Sequence, residues 1–142
     1  MRIRNTLRNT LAQDIYDDIM NGSEARFLRF YTGAEPGSIM APGEITDTML
    51  GECELSDPIG VVEDGNIEFG PITENNGGAV ATGEAGWCAF VDGDGDDVMY
   101  LTVSGPSGDG QVKLNTTSIV YGGPIRVLSC RIVMAGAPAQ VL

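Results

Sequence analysis

Apolar positions change their period along this chain. Ile3, Leu7, Leu11, Ile15 and Ile19 recur every fourth residue, with Ala12, Tyr16 and Met20 beside them, which predicts an amphipathic helix of about four turns. Asn5 is placed to cap its start, and Asn21-Gly22 supplies a stop. A four-residue repeat drifts by about 40° per step around such a helix, so the apolar stripe winds. A helix of this kind either covers an open end of its own domain's core or packs on a curved partner surface. From Arg26 the period falls to two. Phe27, Arg29 and Tyr31 alternate with Leu28 and Phe30, a strand with little polar relief on either face. It is therefore buried on both sides or lies at an interface.

Further strands are predicted near Met49–Leu55, Asn66–Ile72, Gly86–Val91, Val98–Val103, Val112–Leu114, Ser118–Tyr121 and Ile125–Met134. In the last, Leu128, Cys130, Ile132 and Met134 share one face, and Val127, Ser129, Arg131 and Val133 the other. Turn chemistry separates these runs: Asp57-Pro58, Asp64-Gly65, Asn76-Gly77-Gly78, residues 92–97, residues 105–110 and Gly122-Gly123-Pro124. Short strands at this spacing predict a mainly β fold, a two-sheet antiparallel sandwich of jelly-roll type with one N-terminal amphipathic helix. Residues 1–142 read as a single domain, with 1–22 a helical arm and 135–142 an extended C-terminal tail.

Charge is lopsided. The chain carries −12 overall, yet residues 1–31 hold five arginines against four acids, while residues 32–142 hold three bases against sixteen acids. An acidic body disfavours nucleic acid and anionic membranes as partners, since both recruit clustered Lys and Arg. No apolar run approaches the ~20 residues of a membrane span, and the start lacks a signal-peptide core. The cysteines, Cys53, Cys88 and Cys130, are odd in number and far apart, so they give neither a disulfide framework nor a paired zinc signature. They read as small buried hydrophobes.

No motif announces chemistry. Asp92-Gly93-Asp94-Gly95-Asp96-Asp97 alternates carboxylates as calcium loops do, but Asp97 and Val103 stand where an EF-hand needs Gly and Glu. A hairpin loop, metal-free at micromolar calcium, is expected. The glycine-rich run 105–110 lacks the lysine and following helix of a phosphate loop and reads as a hairpin turn. Histidine is absent, which removes His-based triads and His-ligated metals. Paired-carboxylate glycosidase chemistry remains open, though the chain is poor in the aromatics of a sugar cleft. No cofactor is expected. Trp87 reads as a core anchor or a partner-facing hot spot.

Several runs carry a likeness: Leu7-Arg8-Asn9 through Ile19, Leu28-Arg29-Phe30-Tyr31-Thr32-Gly33-Ala34-Glu35-Pro36, Leu55-Ser56-Asp57-Pro58, Ala81-Thr82-Gly83-Glu84-Ala85-Gly86-Trp87, and Leu114 to Ser129 with its Asn115-Thr116-Thr117-Ser118-Ile119-Val120 and Gly122-Gly123. In this order and spacing the chain resembles small virion structural proteins of tailed bacteriophages, most of all their jelly-roll capsid cement, or decoration, proteins. The resemblance implies a non-enzymatic protein, made in the bacterial cytoplasm, that binds the outside of the capsid shell and cements neighbouring capsomers. Its partners would be the major capsid protein and a second copy in a homodimer. Another virion role (head-completion, tail or baseplate) and a carbohydrate-binding β-sandwich are the alternatives. Charge then places the partner face. Arg2, Arg4, Arg8, Arg26, Arg29 and Phe30 are expected to meet the capsid or a sister subunit, because a negatively charged partner attracts this region and repels the body.

Overall fold

Bulges decide the shape of this sheet. The structure, a computed structural model, describes residues 2–39, 44–75 and 77–134. The described residues form one helix, α1 (Asn5–Ile19), and strands β1 (Phe27–Thr32), β2 (Met49–Glu54), β3 (Gly60–Glu63), β4 (Asn66–Phe69), β5 (Gly83–Val91), β6 (Asp97–Ser104), β7 (Val112–Leu114), β8 (Ser118–Ile119) and β9 (Val127–Val133). Strand order is β2-β1-β5-β6-β7-β9-β4-β3, with β8 pairing β5. Register shifts fall at Phe30/Tyr31, Tyr31/Thr32, Phe90/Val91 and Lys113/Leu114. Each shift adds twist and bends its strand. The fold is mainly β with one N-terminal helix, but the strands make a curled, mixed sheet of half-barrel shape. The strands do not divide clearly into the two antiparallel sheets of a jelly-roll sandwich, since β6 and β7 run parallel and the bulges let the hydrogen-bonded sheet curl around the core.

The core lies on the concave side, where Leu28, Phe30, Leu50, Ile67, Phe90, Leu101, Leu114 and Ile125 are buried. α1 covers it with buried Ala12 and Ile19, and Ile15, Tyr16 and Met20 pack alongside. The Tyr16 hydroxyl donates to the Gly60 carbonyl at 3.0 Å, and Asn9 Oδ1 accepts the Gly65 N–H. Leu7 and Leu11 stay 45% and 42% exposed. The winding stripe explains this: over its length it turns by about 160°, so only part can face the core. The helix thus covers its own domain. Its N-cap is Arg4 rather than Asn5, and Asn5 Oδ1 accepts from Arg8 instead. At the other end the Arg26 guanidinium donates to the Met20 and Gly22 carbonyls at 2.6 and 2.7 Å.

The free edge of β2 is also covered. Thr73 and Val80 donate N–H bonds to Glu54 and Leu50. Asn75, buried, accepts from Ile125 N–H at 2.7 Å and donates to the Gly123 carbonyl at 3.2 Å, so a side chain stands in for a strand rung.

Three strand readings need correction. β3 was not anticipated, although Asp64-Gly65 between Val61-Val62-Glu63 and Asn66-Ile67 is a two-residue hairpin signal, realised here with φ of 51° and 75°. Residues 105–110 do not make a hairpin turn, because β6 and β7 are parallel. The loop doubles back on Ser104, whose Oγ accepts the Gly110 N–H at 2.9 Å, and a Cβ at Gly110 would lie 2.4 Å from Ser104 N. In β9 the shift at Lys113/Leu114 skips Leu128, which is 54% exposed while Val127 packs on the core. The tail expected over 135–142 and Asn76 of the Asn-Gly-Gly turn lie outside the described residues.

Candidate interaction surfaces

The residues expected to form one docking face are separated by the fold. Arg2 and Arg4 are exposed ahead of α1. Arg8 is 2% exposed, its Nη1 donating to Asn5 Oδ1 at 3.0 Å and its Nε without a partner among the described residues. Its head packs over Gly65, where any side chain would collide with it. Arg26 is committed to the end of α1, and its 4.0 Å contact with exposed Asp57 adds little. Arg29, half-buried, pairs across strands with Glu52 at 2.8 Å. Phe30 is fully buried. Arg2, Arg4 and part of Arg29 are what remains for a partner.

The convex face of β1, β5 and β6 carries a second cluster. Tyr31 stacks on Trp87 with centroids 4.4 Å apart, and Tyr100 meets the indole edge-on at 4.8 Å. Ile45 and Met49 cover them. The indole N–H lies 3.0 Å from both the Thr32 carbonyl and Asp47 Oδ2. Burial, then the Asp97 charge, pushes the Tyr31 phenol above its ordinary range. Trp87 is therefore an anchor inside the molecule. These rings do not form an exposed platform of the kind a sugar-binding site needs.

Residues 92–96 join β5 to β6 as the expected hairpin loop. Asp92 organises it: Oδ1 accepts the Asp94 and Asp96 N–H groups at 2.9 and 3.0 Å, and Asn21 approaches Oδ2 at 3.4 Å. Burial pushes this carboxyl up, but the accepted hydrogen bonds outweigh it and hold the group below its usual value. A depressed folded value means the stabilisation is full above the unfolded carboxylate range, near pH 4, and is lost as pH falls through the folded value. Asp92→Asn keeps acceptor geometry and loses the charge. We expect it to cost about 1–2 kcal/mol at pH 7 and to narrow the gap to wild type at pH 2, as read by urea unfolding at both pH values.

Cys53, Cys88 and Cys130 are free and buried. Burial pushes the Cys53 and Cys130 thiols up to about 12 and Cys88 well above its ordinary value. A raised thiol holds less of the reactive thiolate at neutral pH. A hollow of about 340 Å³, lined by residues 69–72 and 127–130, has Cys130 in its wall. Ellman's reagent should find no fast-reacting thiol in the native protein and all three in guanidinium.

Two clasped loops carry exposed apolar side chains. Ala79 bridges to Tyr121, Gly122 N–H donates to the Ala79 carbonyl at 2.8 Å, Ala79 N–H donates to the Gly123 carbonyl at 2.8 Å, and Tyr121 N–H donates to Thr82 Oγ1 at 2.9 Å. The clasp fixes the backbone and leaves Val80, Val120 and Tyr121 exposed by 54%, 61% and 73%. An ordered backbone presenting an aromatic and two β-branched side chains loses little conformational entropy on contact, which is what a protein-binding tip requires. No family model, curated protein or solved structure matches the chain.

Proposed function

We propose that this is a non-enzymatic virion structural protein that binds the exterior of a tailed-phage capsid and cements neighbouring capsomers. The observation that carries the reading is the clasped Val80–Val120–Tyr121 tip on a strongly acidic body. The phage-like runs in the sequence supply the partner's class, the major capsid protein. In this reading the curled sheet is an opened variant of the jelly roll of cement proteins. The apolar tip supplies affinity, and exposed Arg2 orients the approach to an anionic shell surface. No cofactor takes part.

The test adds purified protein to shells that lack it and measures occupancy by cryo-electron microscopy. Density at lattice positions over the whole exterior supports cementing, and Tyr121→Ala should then weaken binding roughly 10-fold or more. Density confined to the portal vertex or tail would replace cement with another virion role. Shells left bare at saturating protein would refute the reading.

A further inference from the structure

Helix α1 carries its charges in the order a lone helix disfavours. The N-terminal end of a helix stabilises acidic side chains and the C-terminal end basic ones. Here Arg2 and Arg4 precede the helix, the first turn has no acid, the last turn has no base, and Asp14, Asp17 and Asp18 occupy the second half. Among the described residues neither Arg4 nor Asp18 makes an ion pair. Between them, Leu7 and Leu11 are 45% and 42% exposed.

These residues share one flank. At ~100° per residue, Arg4, Leu7, Leu11 and Asp18 fall within about 60° of one another. The opposite flank carries Asn9 and Tyr16, which bond the β3–β4 hairpin. The spacing is also symmetric about Leu11. Arg4 and Asp18 lie seven residues to either side, and Leu7 and Ile15 four. Turning the helix end for end about Leu11 exchanges Arg4 with Asp18 and Leu7 with Ile15.

We infer that α1 pairs antiparallel with α1 of a second copy, about a two-fold axis at Leu11. Such a contact is self-complementary, as a closed dimer interface must be. Each end sets Arg4 of one copy against Asp18 of the other. Leu11 meets its own counterpart on the axis, and Leu7 packs beside the exposed edge of Ile15. The two helix dipoles then oppose each other, so the charge order that is unfavourable in one copy becomes favourable in the pair. The helix is about 22 Å long, which makes a small interface, with a dissociation constant expected on the order of micromolar. The second copy expected from the resemblance thereby gains a specific interface, and the test on the protein alone in solution can fail separately from capsid binding.

Sedimentation equilibrium of the full chain over roughly 1–200 μM tests it. The wild type should follow a monomer–dimer equilibrium. Arg4→Asp and Asp18→Arg, made singly, should each weaken the dimer about 10-fold or more, since each puts like charges at both ends. The double exchange should restore near wild-type association, because every end again pairs opposite charges. Leu11→Asp places two carboxylates on the axis and should leave a monomer with unchanged circular dichroism, since the side chain is 42% exposed. A wild type that stays monomeric throughout overturns the inference. So does a dimer indifferent to Leu11→Asp, or a double exchange no tighter than the single ones.

Discussion

Trp87→Ala should cost about 3–5 kcal/mol and lower the melting temperature by roughly 10–20 °C, the largest effect expected of any single substitution here. Trp87 is fully buried on the convex face, away from the main core, and it joins four things at once. It stacks on Tyr31 and meets the edge of Tyr100. It also donates toward the Thr32 carbonyl at the end of β1 and toward Asp47 in the segment leading into β2. Removing the indole opens a cavity between rings held by strands and leaves those acceptors without their donor. Trp87→Phe keeps one ring, loses the donor and leaves a smaller cavity, so about 2–3 kcal/mol is expected. Guanidinium unfolding followed by far-ultraviolet circular dichroism separates the two. A Trp87→Ala midpoint equal to wild type would show that the convex cluster does not support the fold.

Local chemistry in the sequence reported the elements well and their assembly poorly. The change from a four-residue to a two-residue period placed α1 and β1, and Asn21-Gly22 placed the end of the helix. Alternation failed where a bulge intervened. Leu128 reads as a core residue by period, but the skipped position opposite Leu114 turns it outward, and a bulge leaves no mark in a hydropathy pattern. The same bulges curl the sheet, so that it does not divide clearly into two layers. Asn75 gave no signal either: its side chain closes the gap to Ile125, 50 residues away, and only the fold brings them together.

The interaction surfaces were less legible, for two reasons. Charge suggests exposure and so puts Arg8 and Arg26 on a docking face. Yet Arg8 shares helical spacing with Ala12, Ile15 and Ile19, which already marks it as inward-facing. Phe30 alternates in phase with Leu28, and both are fully buried. In contrast, the Val80–Val120–Tyr121 tip is assembled from loops about 40 residues apart by the bridge between Ala79 and Tyr121. Backbone pairing of that range cannot be read from composition or period.

Deleting residues 2–20 is expected to abolish cooperative folding rather than merely remove an arm. Ala12 and Ile19 are fully buried, and Ile15, Tyr16 and Met20 pack on the same core as Phe30 and Ile67. Fully burying a side chain such as that of Ile19 contributes about 1.5–3 kcal/mol, so losing this set removes on the order of 5–10 kcal/mol. The stability of a whole domain is only about 5–15 kcal/mol. The deletion also uncovers the concave face and strips Arg26 of the Met20 carbonyl it bonds. The truncated protein should lose near-ultraviolet circular dichroism, bind the dye ANS and melt without a sharp transition. A sharp melt with native near-ultraviolet signal would show that the curled sheet holds its core without α1. Because truncation and misfolding coincide, the contribution of α1 to any partner has to be measured through its exposed flank. Arg4, Leu7 and Leu11 can be changed there while Ala12, Ile15 and Ile19 keep the core closed.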